Sequence, residues 1–149
     1  ANDNPEMLFI TVFAGLLHLD SGEMHWSNAG HDSPIRLEEG TKPISPFRAV
    51  GPPLCVVDDY IFDTQIGALC NGAALCLMTD GVTEAQNRSA ELFGGQRVVD
   101  ALARLPAAAG AAAIVAQLKA AVDEFVGSTE QADDITVLCL RRPIDQAID

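Results

Sequence analysis

Residues 73–78 (AALCLM) run directly into Thr79-Asp80-Gly81, and this junction is the strongest structural signal in the chain. An uninterrupted apolar run of this length predicts a fully apolar, buried strand. An aspartate at the end of such a strand is held rigidly at the edge of a sheet. The glycine after it lets the backbone turn sharply or approach a ligand closely. Asp80 therefore suits either a functional site or the capping of a turn, as aspartate often does.

The part of the chain before this strand predicts antiparallel strands joined by turns. Residues 7–17 (MLFITVFAGLL) are nearly all apolar and rich in β-branched and aromatic side chains, which favours a strand buried on both faces. The turn sequence DSGE leads to a returning strand at 24–28, and a short third strand is expected at 34–38. Residues 60–66 alternate apolar and polar side chains, as a half-buried strand does, whereas the proline-rich residues 42–54 predict an irregular loop.

The part of the chain after Asp80 predicts two helices and a final strand. Apolar residues recur there at helical spacing in two sets, Val98, Val99, Leu102 and Leu105, and then Ile114, Leu118, Val122 and Phe125. Gly127 ends the second helix, and a strand is expected at 135–140. Antiparallel strands followed by helices indicate a layered α+β fold rather than an alternating βαβ fold. No internal repeat or linker divides the 149 residues, so we expect one domain or most of one.

Composition and charge argue against several classes of partner. The formal net charge of -12 repels the phosphates of nucleic acids and anionic lipids, although it suits divalent cations. The four cysteines form no CxxC pair, which argues against a zinc ribbon. The polar start of the chain does not resemble a signal peptide, and no apolar run is long enough to span a bilayer. These features predict a cytoplasmic protein with no nucleic-acid or membrane partner.

A second pair of carboxylates stands where the last strand is expected to begin. Residues 131–136 read QADDIT, so Asp133 and Asp134 precede an apolar run, just as Asp80 follows one. Because strand alternation points successive side chains to opposite faces, one aspartate is expected to face a site while the other braces the loop. If the two strands are neighbours, Asp80 and Asp133 converge. Carboxylate oxygens without a histidine cluster suit Mg²⁺ or Mn²⁺, although an acidic turn remains the simpler alternative.

Five stretches of the chain, in order and spacing, resemble the PPM-type metal-dependent protein phosphatases, most closely their bacterial sporulation-protein-E (SpoIIE) class. The stretches are MLFITVFAGLLHLDSGEMHWSNAGHDSP, GPPL, LCLMTDGVTEAQN, ELFGGQRVVDAL and QADDITVLCLR. The resemblance implies a layered α/β/β/α sandwich of mainly antiparallel sheets. It also implies that residues 1–149 are the C-terminal portion of a single phosphatase domain, because the aspartate motifs of the family's first half do not occur in them.

The resemblance assigns roles to individual residues. Asp80 and Asp133 match the metal-binding aspartates of this half of the domain, within a two-metal Mg²⁺ or Mn²⁺ site in the complete domain. Gly81 and Asp134 match supporting positions, and relatives carry Asp or Asn at the latter. No side chain is assigned as a catalytic acid or base. Asn28, Gly30 and His31 match the NAGH signature, for which a hydrogen bond that orders the loop is the preferred interpretation of His31.

The resemblance implies a serine/threonine phosphoprotein phosphatase in bacterial signalling. The expected substrate is a phosphorylated regulatory protein similar to an anti-sigma-factor antagonist, and an upstream sensor or receiver domain is expected in the full-length chain. The 149 residues alone are expected to be inactive, because two aspartates do not complete the shell of six oxygen ligands. Two alternatives remain: a non-catalytic regulatory or docking module that retains the fold, and, more weakly, a calcium-binding structural domain. No loop has the ligand spacing of an EF-hand, which argues against the last.

Overall fold

A computed structural model describes residues 6–106, 108–131 and 133–144. The described elements are strands β1 (Val12–Leu17), β2 (Glu23–Ala29), β3 (Ile35–Leu37), β4 (Gln65–Ala68), β5 (Ala74–Met78) and β6 (Val137–Arg141), and helices α1 (Asp80–Thr83), α2 (Gly94–Ala103) and α3 (Ala111–Val126). None of the described helices is both long enough and apolar enough to cross a membrane. The predicted strands at 24–28, 34–38 and 73–78 and both predicted helices are confirmed, with small shifts at their ends.

The strands form two antiparallel sheets with three strands each. In the first sheet, β2 lies between β1 and β4; in the second, β5 lies between β3 and β6. The central strand β5 pairs with β6 along its whole length, from Ala74 opposite Arg141 to Met78 opposite Val137. The ends of β5 and β6 that lead to the predicted aspartates are therefore neighbours, as the sequence analysis required.

Two apolar cores hold the layers together. One lies between the second sheet and helices α2 and α3, where Cys76 of β5 packs with Val98 and Leu118. The other lies between the two sheets, where Leu75 packs with Met24 and Phe47. Alternate residues of β5 thus enter different cores, which is why its sequence is apolar at every position. The described residues form a helix layer and two sheet layers, and the predicted mixed fold of antiparallel sheets and helices is confirmed.

The prediction for residues 7–17 is wrong in extent and in burial. Strand β1 begins only at Val12, and Leu16 within it is 63% exposed. The side chains of residues 7–10 are also exposed. The physical reason is the position of the strand rather than its composition. β1 is an edge strand paired only with β2, and among the described residues no layer covers the outer face of its sheet. Only Phe13 and Leu17 point inward, toward the core between the sheets.

Two further boundaries differ from the sequence prediction. The strand expected at 60–66 is β4, at Gln65–Ala68, and residues 60–64 carry no strand. Its pairing with β2 starts only at Trp26 opposite Gln65, whereas the Tyr60 hydroxyl donates to the Val50 carbonyl, 3.1 Å away, in the preceding loop. The final strand, β6, begins at Val137 and not at residue 135.

A buried arginine that the sequence analysis did not single out ties the two sheets together. The Arg142 guanidinium donates to the carbonyl oxygens of Leu69, at 2.9 Å, and Asp20, at 2.8 Å. It lies directly against Gly22, which has a φ of +76° and where a Cβ would be 2.0 Å from an Arg142 nitrogen. A side chain at position 22 would therefore displace the guanidinium and strain the turn of the β1–β2 hairpin.

Candidate metal centre

The pairing of β5 with β6 continues past the strand ends through Thr79. The Thr79 N–H donates to the Thr136 carbonyl at 3.1 Å, and the Thr136 N–H donates to the Thr79 hydroxyl oxygen at 2.9 Å. The same hydroxyl donates to the Asp134 carbonyl at 2.9 Å. One side chain thus fixes the loop before β6 against the segment after β5. This arrangement brings Asp80 and Asp133 onto adjacent segments.

Gly81 is needed at this junction because two backbones approach closely. It is buried within the short helix α1, and a Cβ built on it would lie 2.4 Å from the Asp134 carbonyl oxygen. That contact is far too short for a real Cβ atom. The glycine therefore permits a close approach by the main chain of residue 134. The sequence prediction was different, namely a sharp turn or a close approach to a ligand. Gly81 has helical backbone, so the alternative explanation by a positive φ does not apply.

Both predicted metal aspartates have exposed side chains that accept a local backbone hydrogen bond. The Asp80 carboxylate, at the start of α1, accepts from the Gly81 N–H at 3.1 Å. The Asp133 carboxylate accepts from the Asp134 N–H at 2.7 Å, and the Asp133 carbonyl accepts from the Gln131 amide at 2.7 Å. These bonds orient each carboxylate from its own segment while leaving it at the surface, where a cation can reach it.

Asp134 contributes to the junction chiefly through its main chain. Its carbonyl oxygen is the atom that Thr79 binds and that Gly81 approaches. The reason given for separating Asp133 from Asp134, strand alternation, is wrong because neither residue lies in β6. The difference between them arises in the loop before β6. The backbone of Asp134 makes the contacts with Thr79 and Gly81, whereas the side chain of Asp133 is exposed.

Asp32 is a residue near the centre that the sequence analysis missed. Its carboxylate accepts a 2.9 Å hydrogen bond from the Thr83 hydroxyl, which ties the loop before β3 to the helix that begins at Asp80. The only sequence signal was its position directly after the Asn28–His31 signature. A contact across 51 residues of chain is not visible in local spacing.

The Asn28–His31 signature orders loops and does not contribute directly to the aspartate pair. Asn28 is fully buried, and its amide donates to the carbonyls of Phe47 and His31 while its oxygen accepts from the His31 N–H. The His31 ring nitrogen Nδ1 lies 3.3 Å from the Thr11 hydroxyl oxygen. These contacts agree with the interpretation of His31 as a loop-ordering residue.

The donor set fits a divalent cation only in part. Carboxylate oxygens are suitable ligands for Mg²⁺ and Mn²⁺, and both aspartates are accessible. Over residues 6–106, 108–131 and 133–144, however, no three His, Cys, Asp or Glu side chains come close enough together to hold a metal ion. Asp80 and Asp133 can therefore supply a fraction of an octahedral shell, and the remaining ligands must be water or groups outside this set.

Comparison with known proteins agrees with this architecture. The profile of the Stage II sporulation protein E (SpoIIE) family matches residues 1–143. Protein IcfG of Synechocystis sp. (strain ATCC 27184 / PCC 6803 / Kazusa) is 30% identical over 139 residues, which are 91% of this chain but 21% of IcfG. The chain thus spans about a fifth of the length of this relative.

Two of the solved structures that share this fold illustrate the similarity. The RsbU and RsbW domains of Rv1364c from Mycobacterium tuberculosis superpose with a TM-score of 0.74 at 24% identity, covering 95% of this chain and 38% of that one. The manganese-presoaked phosphatase domain of SpoIIE from Bacillus subtilis gives a TM-score of 0.69 at 15% identity, covering 98% of this chain and 61% of that one. The fold is therefore that of a PPM-type phosphatase domain, present in part, and the chain belongs to the SpoIIE family.

Proposed function

We propose that residues 1–149 are the C-terminal portion of a single phosphatase domain that hydrolyses phosphoserine or phosphothreonine on a regulatory protein. The observation that carries this proposal is the junction of β5 with β6. Thr79 and Gly81 hold two segments together there, and each segment ends in an exposed aspartate. Because the chain belongs to the SpoIIE family, we assign metal binding to this pair of carboxylates.

Asp80 and Asp133 are the residues that would hold Mg²⁺ or Mn²⁺, within a two-metal site of the complete domain. Such ions lower the pKa of water and neutralise the charge that develops during phosphoryl transfer. The protein's own contribution is positional. Gly81 leaves room for the Asp134 main chain, and Thr79 fixes the loop that carries Asp133. Both segments are therefore in place before the reaction and need not reorganise during it.

The same relatives support a proposal for the partners. A structure similar to this chain contains both RsbU and RsbW domains, which supports a phosphorylated regulatory protein of the anti-sigma-factor-antagonist type as substrate. The much greater length of IcfG supports further domains in the full-length protein, such as an upstream sensor or receiver domain. A cytoplasmic location and a role in bacterial signalling belong to this proposal.

A second candidate function is a non-catalytic docking module that retains the phosphatase fold. The observation in its favour is that Asp80 and Asp133 are not joined by a third metal-binding side chain among the described residues. A docking module would need the surface of the domain but not its cations. The two candidates therefore differ in whether these aspartates matter for turnover.

The test is hydrolysis of a chromogenic aryl phosphate by the full-length protein across a series of Mn²⁺ concentrations. Asp80→Asn and Asp133→Asn should each abolish metal-dependent turnover, because an amide replaces a full negative charge by a dipole. Asp100→Asn is the matched control, since Asp100 is an exposed aspartate on α2 whose carboxylate accepts from Gln96. Unchanged turnover in both site variants would contradict the phosphatase proposal and favour the docking module.

A further inference from the structure

A groove lies beside the candidate metal centre, between the C-terminal end of α3 and the segment that follows α1. Its volume is about 420 Å³, within the usual range of roughly 300–1,000 Å³ for sites that bind ligands. We call it the acidic groove, and the residues that define it are Ala85, Val122, Val126, Glu84, Glu130 and Asp133. Asp133 is one of the lining residues, so the groove is next to one of the two proposed metal-binding aspartates.

The floor of the acidic groove is apolar. Ala85 and Val122 are buried members of the core beneath α3, and Val126 packs against the same core while remaining half-buried. An apolar side chain placed on this floor would be removed from water against the existing core, which favours binding. The groove therefore favours a ligand with at least one apolar group.

The rim of the groove is negatively charged. Glu84 and Glu130 are exposed there, and none of the described residues that line the groove is basic. Asp123 also lies on the rim, but its charge is paired with Lys119, 2.5 Å away on the same helix. A phosphate group would be repelled from this rim, whereas a lysine or arginine would be attracted. The groove is thus suited to the residues that flank a phosphorylated side chain rather than to the phosphate itself.

Thr129 carries a hydroxyl group at the wall of the groove that a bound segment can satisfy. It lines the groove, and its hydroxyl oxygen is buried without a hydrogen-bond partner among the described residues. Buried polar atoms nearly always have hydrogen-bond partners, and leaving one without a partner is unfavourable. A main-chain carbonyl of a bound segment can accept this hydroxyl's hydrogen bond after a change of its side-chain rotamer.

We propose that the acidic groove binds a segment of the phosphoprotein substrate in which an apolar residue and a lysine or arginine lie close to the phosphorylated residue. This inference rests on the proposed phosphatase function, because it takes Asp133, which lines the groove, to be a ligand of the reacting metal site. The apolar side chain packs on Val122 and Val126, and the basic side chain pairs with Glu84 and Glu130. Bound in this way, the segment directs its phosphate toward Asp80 and Asp133.

The experiment compares two phosphopeptides with the full-length protein and Mn²⁺. One carries leucine and lysine beside the phosphoserine, and the other carries leucine and glutamate. The KM of the native protein should be about tenfold lower for the lysine peptide, since the lysine pairs with Glu84 and Glu130 whereas the glutamate is repelled by them. The double variant Glu84→Lys/Glu130→Lys should reverse this preference. Glu124→Gln, on another exposed face of α3, is the control and should leave the preference unchanged.

Two further readouts separate the possible failures. If the aryl phosphate is hydrolysed but charge reversal at Glu84 and Glu130 leaves the peptide preference unchanged, the groove proposal is overturned and the phosphatase function stands. If no aryl phosphate is hydrolysed, the phosphatase function fails. Fluorescence anisotropy with an unphosphorylated lysine peptide then tests the groove by itself. Weaker binding by both the charge-reversed variant and Thr129→Val supports the groove, and unchanged binding by both overturns it.

Discussion

Strands β5 and β1 have similarly apolar sequences but lie in very different surroundings. β5 is central in its sheet and has a core on each face, so Leu75 and Cys76 are almost completely buried. β1 is an edge strand whose outer face is uncovered among the described residues, so Leu16 is mostly exposed. Apolar composition therefore identifies a strand, while its neighbours decide its burial. The candidate metal centre lies at the end of β5, the strand that is buried on both faces.

Matched leucine substitutions should give the largest difference between the two strands. Leu75→Ala should lower the free energy of unfolding by about 2–5 kcal/mol, because it leaves a cavity between the sheets. Leu16→Ala should change it by less than about 0.5 kcal/mol, since most of that side chain is already in water. Urea denaturation of the two variants measures both values. Equal losses would mean that the outer face of the first sheet is covered in the protein.

Thiol reactivity should distinguish buried β5 from the surface loops. Burial raises the pKa of the Cys76 thiol to about 12, from an ordinary value of 9.0. Only the deprotonated thiolate reacts. At pH 8 the thiolate fraction of Cys76 should therefore be about a thousandfold lower than that of a thiol with the ordinary pKa. Cys55 is exposed and serves as the internal reference. Iodoacetamide labelling followed by mass spectrometry should modify Cys55 far faster, and comparable rates would show that β5 opens readily.

A pair of glycine substitutions tests the close approach at the end of β5. Gly81→Ala should destabilise the protein by about 1–3 kcal/mol, because its Cβ meets the backbone oxygen of Asp134 and that oxygen cannot move without the loop. Gly95→Ala, in α2, has open space at its Cβ and should be neutral or stabilising by up to about 1 kcal/mol. Thermal melts measure the difference. If both variants melt alike, the contact at Gly81 has no structural importance.

Much of this fold could be predicted from sequence because it depends on local periodicity. The helical spacing around Leu118 and the apolar run of β5 each identified their element correctly. Burial of β1 could not be predicted, since it depends on what lies across the sheet. The bonds from Thr83 to Asp32 and from Arg142 to Leu69 were equally invisible, because each joins residues distant in the chain.

The candidate site was predictable to a similar extent. The sequence predicted that two apolar strands, each next to an aspartate, can be neighbours. The structure places these strands side by side and joins the segments of Asp80 and Asp133. The separate roles of Asp133 and Asp134 rested on strand alternation, which does not reach these residues. Their difference depends instead on the hydroxyl of Thr79 and the missing side chain of Gly81, two details of packing that residue spacing does not encode.

The most direct test of the central claim is calorimetric titration of Mn²⁺ into the full-length protein and three asparagine variants. Asp80→Asn and Asp133→Asn should each weaken Mn²⁺ binding at least tenfold, because each removes a carboxylate ligand. Asp134→Asn should bind Mn²⁺ nearly as the native protein does, since its main-chain carbonyl is retained. The account is contradicted if Asp134→Asn loses Mn²⁺ binding while Asp133→Asn keeps it.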